Sequence, residues 1–370
     1  MRVTAMKQST LFKGIKLGQL ELKNRVVMAP MTRSFSENGI PGDNVVEYYA
    51  RRASVGLIIT EGTIVNHPGA NGYPRVPHFY GEEALAAWKK VVESVHNKGG
   101  KIFPQLWHVG QVRKLGTEPD PTIPAYGPME VVKDGEIVVR AMGQDDIDDV
   151  IQAFSQAAVD AKGIGFDGVE IHGAHGYLID QFLFSGTNQR DDRYGGTLEK
   201  RCLFAKELIT AIRERVGAEF PICFRFSQWK IADYKGTLAN SPEELKQILD
   251  ILVEAGVDIF HCSNRRFWEP EFAGSNMNLA GWTKKITGKP CITVGSVGLD
   301  QDFLTTFDPK SEDSEVTSLE KLEGPLERGE FDLVAVGRGL ISNPDWVEKV
   351  EQGRVKELKP YSKEDLKSLY

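Results

Sequence analysis

Cysteine is scarce: the chain has four, and none forms a closely spaced C-x₂-C type pair. Neither a zinc site nor an iron–sulfur cluster is therefore expected. Cys223, Cys262 and Cys291 sit in apolar runs, where a reduced, buried thiol is the expected state. Long apolar runs are missing too; none approaches the roughly 20 residues that cross a membrane. The first 14 residues lack the sustained apolar core of a secretion signal, so a cytoplasmic location is the default. Positive charge is in deficit, with 45 Lys and Arg against 52 Asp and Glu and a formal net charge of −7. That argues against nucleic acid or an acidic membrane surface as a partner, and leaves room for a small anion held by local arginines. No G-x-G-x-x-G follows a strand and opens a helix, so no separate dinucleotide domain is expected.

What is present is alternation. Of the 370 residues, 41% are hydrophobic, enough to build a large core without staples. Short apolar runs at 26–29, 56–61, 101–106, 168–172, 222–226, 259–262, 291–294 and 333–336 read as strands buried on both faces. Between them lie stretches of helical period, including 145–162, 198–216 and 243–255. Ser241 followed by Pro242 reads as a helix cap with proline in the first turn. Eight such units predict an α/β protein, a (β/α)8 TIM barrel, with residues 1–370 forming a single domain. Two short alternating segments around Gly18 predict an N-terminal β-hairpin that plugs the barrel floor. The surplus over a minimal barrel falls at 113–142 and 265–283. Both follow strand ends and are expected as extra loops on the catalytic face.

In a barrel the chemistry sits just past the strand C-termini. After the fourth strand the chain reads Gly168-Val-Glu-Ile-His172-Gly-Ala-His175-Gly-Tyr177, two histidines and a tyrosine on one turn. Neutral imidazoles can donate hydrogen bonds to an oxygen that gains negative charge, and a tyrosine can supply a proton. A metal site is the competing reading, but no nearby Cys or carboxylate completes a tetrahedral set. Gly295-Ser296 and Gly337-Arg338 follow the last two strands, the usual phosphate position of a barrel. Alone they indicate only a phosphate-bearing ligand.

The stretch from Val169 to Phe182, continued by Arg190-Asp-Asp-Arg193-Tyr194-Gly195-Gly196-Thr197, resembles the signature of the Old Yellow Enzyme family of flavoproteins. Other pieces match in order: Val26-Val-Met-Ala-Pro30-Met-Thr32-Arg33, Thr60-Glu-Gly62, Gln105-Leu-Trp107-His108-Val-Gly110, Arg225-Phe-Ser227, Val294-Gly295-Ser296 and Val336-Gly337-Arg338. The resemblance runs from Leu11 to about Val350. Met31-Thr32-Arg33 stands where one branch of the family carries Cys and Tyr, so the chain is closer to the branch first defined in yeast and plants.

The resemblance implies a barrel that binds FMN on its catalytic face. It assigns Ala29, Pro30, Met31, Thr32, Gly62, Gln105, His172, Arg225, Gly295, Ser296, Gly337 and Arg338 to the cofactor. Thr32 and Gln105 would bond the flavin's pyrimidine edge, Arg225 would stabilise the charge of the reduced ring, and Arg338 would grip the phosphate. A salt bridge to Glu170 is the alternative for Arg225. His172 and His175 would hold the substrate's oxygen, and Tyr177 would protonate the α-carbon after hydride arrives from the flavin. Tyr73 and Trp107 would border the substrate, with ordinary hydrophobic packing as their alternative.

The implied activity is NADPH- or NADH-driven reduction of activated C=C bonds in a ping-pong cycle. The substrate would be a small activated alkene, and the protein a monomer or homo-oligomer. Reduction of nitro groups or nitrate esters on the same scaffold is the alternative within flavoenzymes. A non-flavin phosphate-binding barrel enzyme would need a catalytic Lys or Glu at a strand end. A non-catalytic flavin carrier would not need Tyr177.

Overall fold

The computed structural model describes residues 9–301 and 314–370; residues 1–8 of the segment read against a secretion signal lie outside the described residues. Gly18, at φ +60°, turns the chain between β1 (Ile15–Leu17) and β2 (Leu20–Leu22), which pair antiparallel. Strand and helix then alternate: β3 (Val26–Met28), α1 (Asp43–Ala50), β4 (Leu57–Ile64), α2 (Glu82–Asn97) and β5 (Ile102–Trp107). An excursion follows, in which β6 (Ala125–Gly127), β7 (Val131–Lys133) and β8 (Glu136–Ala141) form a small sheet of their own. The alternation resumes with α3 (Gln144–Ile164) and β9 (Val169–His172), then α4 (Leu178–Leu183), α5 (Leu198–Arg201) and α6 (Leu203–Val216). It ends with β10 (Ile222–Phe226), α7 (Pro242–Ala255), β11 (Ile259–Ser263), α8 (Leu279–Thr287), β12 (Cys291–Val294), α9 (Glu320–Glu327), β13 (Leu333–Val336), α10 (Arg338–Ser342) and α11 (Trp346–Glu351).

The eight strands β3, β4, β5, β9, β10, β11, β12 and β13 close a parallel barrel, shut by pairing of Val334 on β13 with Val26 on β3. Each strand is buried on both faces, which is why each reads as an apolar run. The helices wrap it through amphipathic stripes. In α7, Leu245, Ile248, Leu249 and Leu252 recur at helical spacing and face inward. Ser241 accepts from the Glu244 N–H at its start, Pro242 occupies the first turn, and Gly256 ends it in the left-handed region.

The barrel interior is layered, because residues two apart on a strand point the same way. At the bottom, Val27, Leu57, Phe103, Cys223, Ile259, Ile292 and Leu333 meet in one buried cluster. Leu20 and Leu22 of the hairpin belong to the same cluster, so the hairpin does plug the floor. Two register steps further along, the same strands present their functional residues. Arg225 is level with His172 on one side and His261 on the other, and Gln105 is level with Glu170.

Two expectations are corrected in detail. The helix read over 198–216 is two, because Cys202 interrupts it between α5 and α6. The strand read at 56–61 runs on to Ile64, with a register shift between Ile59 and Gly62. The surplus at 113–142 is tied down: the buried Arg113 guanidinium donates to the carbonyls of Asn71, Thr117 and Asp120 at 2.6–2.8 Å. All four cysteines are free and buried, as the apolar runs implied for three of them.

The floor generates a stability prediction. Leu22 is 1% exposed, so Leu22→Ala should cost about 2–5 kcal/mol through lost burial and a residual cavity. Urea unfolding of the two proteins measures it. A loss under about 0.5 kcal/mol would mean that the hairpin does not seal the barrel.

Candidate active site

Past the C-terminal ends of the strands opens a cavity of about 530 Å³. Ala29, Pro30, Met31, Thr32, Tyr73, Gln105, Trp107, His172, His175, Tyr177, Arg225, Gly295, Ser296, Gly337 and Arg338 all line it. Gly62 does not: it lies under the Trp107 indole, where any side chain would collide with the ring. Trp107 stacks with Tyr73 at 5.3 Å and with His172 at 5.9 Å, so packing and cavity lining coincide there.

Glu170, level with Gln105 on the neighbouring strand, is fully buried. Burial alone would push its carboxyl up; His261 and Arg225 outweigh that and hold it below the usual carboxylate value. Its oxygens accept from Gln105 Nε2 at 2.9 Å and from His261 Nδ1 at 2.7 Å. The salt bridge considered for Arg225 is not formed as an ion pair. The guanidinium reaches Ser263 Oγ at 3.5 Å, and its buried Nε has no partner among the described residues. Glu170 instead balances Arg225 through space.

The two histidines of the turn are both neutral. Burial pushes His172 down to about 3, with Arg225 adding to the effect, and the same causes hold His175 well below its ordinary value. Their tautomers follow from their neighbours. His172 Nδ1 accepts from the Ala174 N–H at 3.3 Å, so its proton is on Nε2. His175 Nε2 lies 2.8 Å from Ser263 Oγ. We assign the serine proton to Nε2, which places the His175 proton on Nδ1. Each imidazole therefore has one N–H to offer.

Tyr177 is 7% exposed, and its hydroxyl lies 2.9 Å from that of Tyr73. Burial first, then Tyr73, raise its pKa, so the phenol keeps its proton across the working range. The turn carrying His175 and Tyr177 is pinned from the segment that follows β10. Ser227 Oγ accepts from the His175 N–H at 2.9 Å, and the Ile231 N–H donates to the His175 carbonyl at 3.2 Å. Beneath, buried Lys230 and Asp180 pair at 3.0 Å, and Asp180 accepts from the Gly176 N–H at 2.6 Å. His175 itself holds φ +65°, an uncommon conformation for a residue with a side chain, sustained by these contacts.

Several lining residues escaped the sequence reading. Ser263 directly follows the apolar run 259–262, and reading one residue further past that strand end would have found it. Trp229, Ile231 and Tyr234 sit on the segment after β10. Tyr361 and Leu366 come from beyond the resembling region. Arg33 holds that tail, donating to the carbonyls of Asp365 and Ser368 at 2.9 and 2.7 Å. Arg52 does likewise for Leu340 and Ile341 beneath it. Among the described residues no cluster of three or more His, Cys, Asp or Glu could hold a metal ion, and no helix is long and apolar enough to cross a membrane.

A barrel whose strand ends converge on a buried arginine, two neutral imidazoles and glycine-lined loops has the architecture of a flavin-dependent oxidoreductase. The chain belongs to the NADH:flavin oxidoreductase / NADH oxidase family, the Old Yellow Enzyme family, whose sequence model matches residues 10–313. It is 37% identical to an NADH oxidase from Thermoanaerobacter brockii over 94% of this chain. It spans only 52% of that relative's length. With 12-oxophytodienoate reductase 7 of Oryza sativa subsp. japonica it shares 34% identity, covering 93% of this chain and 88% of the relative. Among solved structures, morphinone reductase in complex with tetrahydroNAD superposes with a TM-score of 0.80 at 30% identity, over 96% of this chain and 93% of that one. The Old Yellow Enzyme homologue from Zymomonas mobilis superposes at 0.79 with 26% identity, over 96% of each chain.

Burial of neutral imidazoles makes stability depend on pH. Six of the seven histidines, 67, 78, 108, 172, 175 and 261, have folded pKa values below the ordinary 6.5. Between 6.5 and the folded values, the unfolded chain binds more protons, so stability falls as pH falls. Glu61, raised to about 7 by burial, and Asp180, Glu271 and Glu323, raised by the same cause, act in the opposite sense but are fewer than the six histidines. The melting temperature should therefore drop as pH is lowered from 6.5 towards 4. A flat profile over that window would contradict the buried neutral histidines.

Proposed function

We propose that this protein is an NAD(P)H-dependent ene-reductase, reducing the C=C bond of α,β-unsaturated carbonyl or nitro compounds in two half-reactions at one site. The reading treats residues 1–370 as one FMN-binding barrel unit. The observation that carries it is the pair of single-donor neutral imidazoles beside a buried, fully protonated tyrosine.

The residues fit a flavin mononucleotide. The cavity is within the size range of sites for ligands of that order, and Arg225 carries a buried N–H with no protein partner. Gln105 donates to Glu170 and so has its carbonyl and second N–H left for a ring edge. Gly295, at φ +136°, lies so close to the backbone of Asn264 and Arg265 that a side chain would clash, which suits a loop meeting a phosphate. We assign the ring to Ala29, Pro30, Met31, Thr32, Gln105, His172 and Arg225, and the phosphate to Gly295, Ser296, Gly337 and Arg338. When bound, FMN supplies the means to accept hydride from NAD(P)H and pass it on.

The chain's own groups do the rest. His172 Nε2–H and His175 Nδ1–H donate to the oxygen of the substrate's electron-withdrawing group, which makes the β-carbon electrophilic and stabilises the charge that develops. Because both rings stay neutral, neither gives up its proton to that oxygen. Tyr177 transfers its hydroxyl proton to the α-carbon as hydride adds to the β-carbon, so one hydride and one proton complete the reduced product. Tyr73, hydrogen-bonded to Tyr177, is the group from which the proton can be replaced. The reductase names of the relatives support an unsaturated oxo compound as acceptor.

Tyr177→Phe separates the half-reactions. The enone step should slow by roughly 10²–10⁴-fold, the usual cost of losing a positioned acid, while the NAD(P)H step is much less affected. Single-turnover stopped-flow of each step gives the comparison. Equal enone rates in the two proteins would remove Tyr177 from this role.

A further inference from the structure

One charged group on the cavity rim has no part in the reading above. Arg265 follows β11 by two residues, lines the cavity and remains exposed. Its guanidinium lies over the Tyr234 ring, 4.7 Å from the centroid. Tyr234 meets Trp229 edge-on at 5.4 Å, and Trp229 stacks on His175 at 4.5 Å. A row of rings thus runs from the His175 imidazole to the arginine. Ile231, 47% exposed, adds apolar surface to the same wall.

The setting leaves Arg265 available. A guanidinium over an aromatic face is held by the ring's charge distribution, and its N–H groups stay free at the edge of the plane. Among the described residues it makes no hydrogen bond or ion pair, whereas its neighbour Arg266 pairs with Glu269 at 3.0 Å. Glu271, half-buried on the same loop, bonds Gln228 and feels the Arg265 charge only through space, without a direct ion pair. The nearby cation Lys230 is buried and engaged by Asp180 and by the carbonyls of Ser227 and Gln228. A planar fork of donors with no hydrogen-bonded partner among the described residues matches a carboxylate or phosphate.

We infer that Arg265 forms an anion-binding subsite at the cavity mouth, which takes a carboxylate or phosphate carried by a ligand whose reacting end lies at His172 and His175. The inference rests on the ene-reductase reading for what reacts there. The anion has two sources of the same chemistry: the phosphates of the nicotinamide reductant, or a carboxylate on the acceptor. Either way, Arg265 selects among ligands by charge, at a point away from the reacting atoms.

The test compares wild-type holoenzyme with Arg265→Gln and Arg265→Lys, using matched anionic and neutral ligands. For the acceptor arm the pair is a cyclopentenone bearing an ω-carboxyalkyl chain and its methyl ester, which keeps the charge away from the alkene; for the reductant arm it is NADPH and N-benzyl dihydronicotinamide. Binding without turnover is read from the flavin spectrum with para-hydroxybenzoate and para-hydroxybenzyl alcohol. Selectivity for the anionic member should fall about fivefold in Arg265→Gln in one arm, which identifies the source. Arg265→Lys should fall between the two, since it keeps the charge and loses the fork. Added salt should weaken the anionic ligand in wild type and much less in Arg265→Gln. Unchanged selectivity in both arms and in the titration would overturn the subsite. If neither enone is reduced by wild type but para-hydroxybenzoate still binds in an Arg265-dependent way, the subsite stands and the ene-reductase reading fails.

Discussion

The carboxylate of Glu170, buried at the centre of the barrel, is the constraint on which the site depends. A lone charge there would be costly, so every neighbour is committed to it. Gln105 and His261 donate to it, and the Cys223 thiol lies against it at 3.4 Å. Arg225, level with His172 on the adjacent strand, supplies the compensating charge without touching it. That arrangement fixes which end of the Gln105 amide is free. It also keeps Arg225 charged in spite of burial, with its donors turned to the cavity; burial and Arg225, acting against Glu170, hold His172 neutral. One buried negative charge and the arginine beside it thus organise the layer beneath the mouth.

The barrel makes such a stack of layers cheap to build. With side chains alternating every second residue, one strand contributes to floor, charged layer and rim in turn. On β10 these are Cys223 and then Arg225; on β11 they are Ile259, His261 and Ser263. The floor is apolar and sealed by Leu20 and Leu22, and Gln105 and Arg225 of the charged layer line the cavity that opens at the mouth. The rim belongs to loops that differ in how firmly they are held. The His172–Tyr177 turn is clamped by the Lys230–Asp180 pair and by backbone bonds to 227–231, whereas Arg265 rests only on a ring. Rigidity is concentrated where proton and hydrogen-bond donors must be exact, and freedom where a ligand's remote group enters.

The sequence was most legible where a physical requirement leaves a local mark. Strands buried on both faces must be apolar runs, and all eight were found within a few residues of their ends. Ser241-Pro242 marked a helix start because capping and the missing proline N–H act within one turn. His172, His175 and Tyr177 stood out because all three fall on one short turn. What stayed hidden depends on contacts between distant segments. Nothing local to Arg33 shows that it grips carbonyls more than 300 residues away. Nothing local to Tyr361 shows that it lines the cavity. The role of Gly62 in making room for Trp107 rests on the pairing of β4 with β5, which no single-strand pattern shows. The break at Cys202 likewise escaped a reading based on period, because both pieces continue the same apolar stripe.

The most direct measurement is anaerobic sequential-mixing stopped-flow on the purified protein, following the visible flavin band. Mixing with NADPH or NADH should bleach it, and a second mixing with cyclohexenone should restore it at a rate that depends on enone concentration. A protein that stays colourless even after FMN is added would contradict the account at its root.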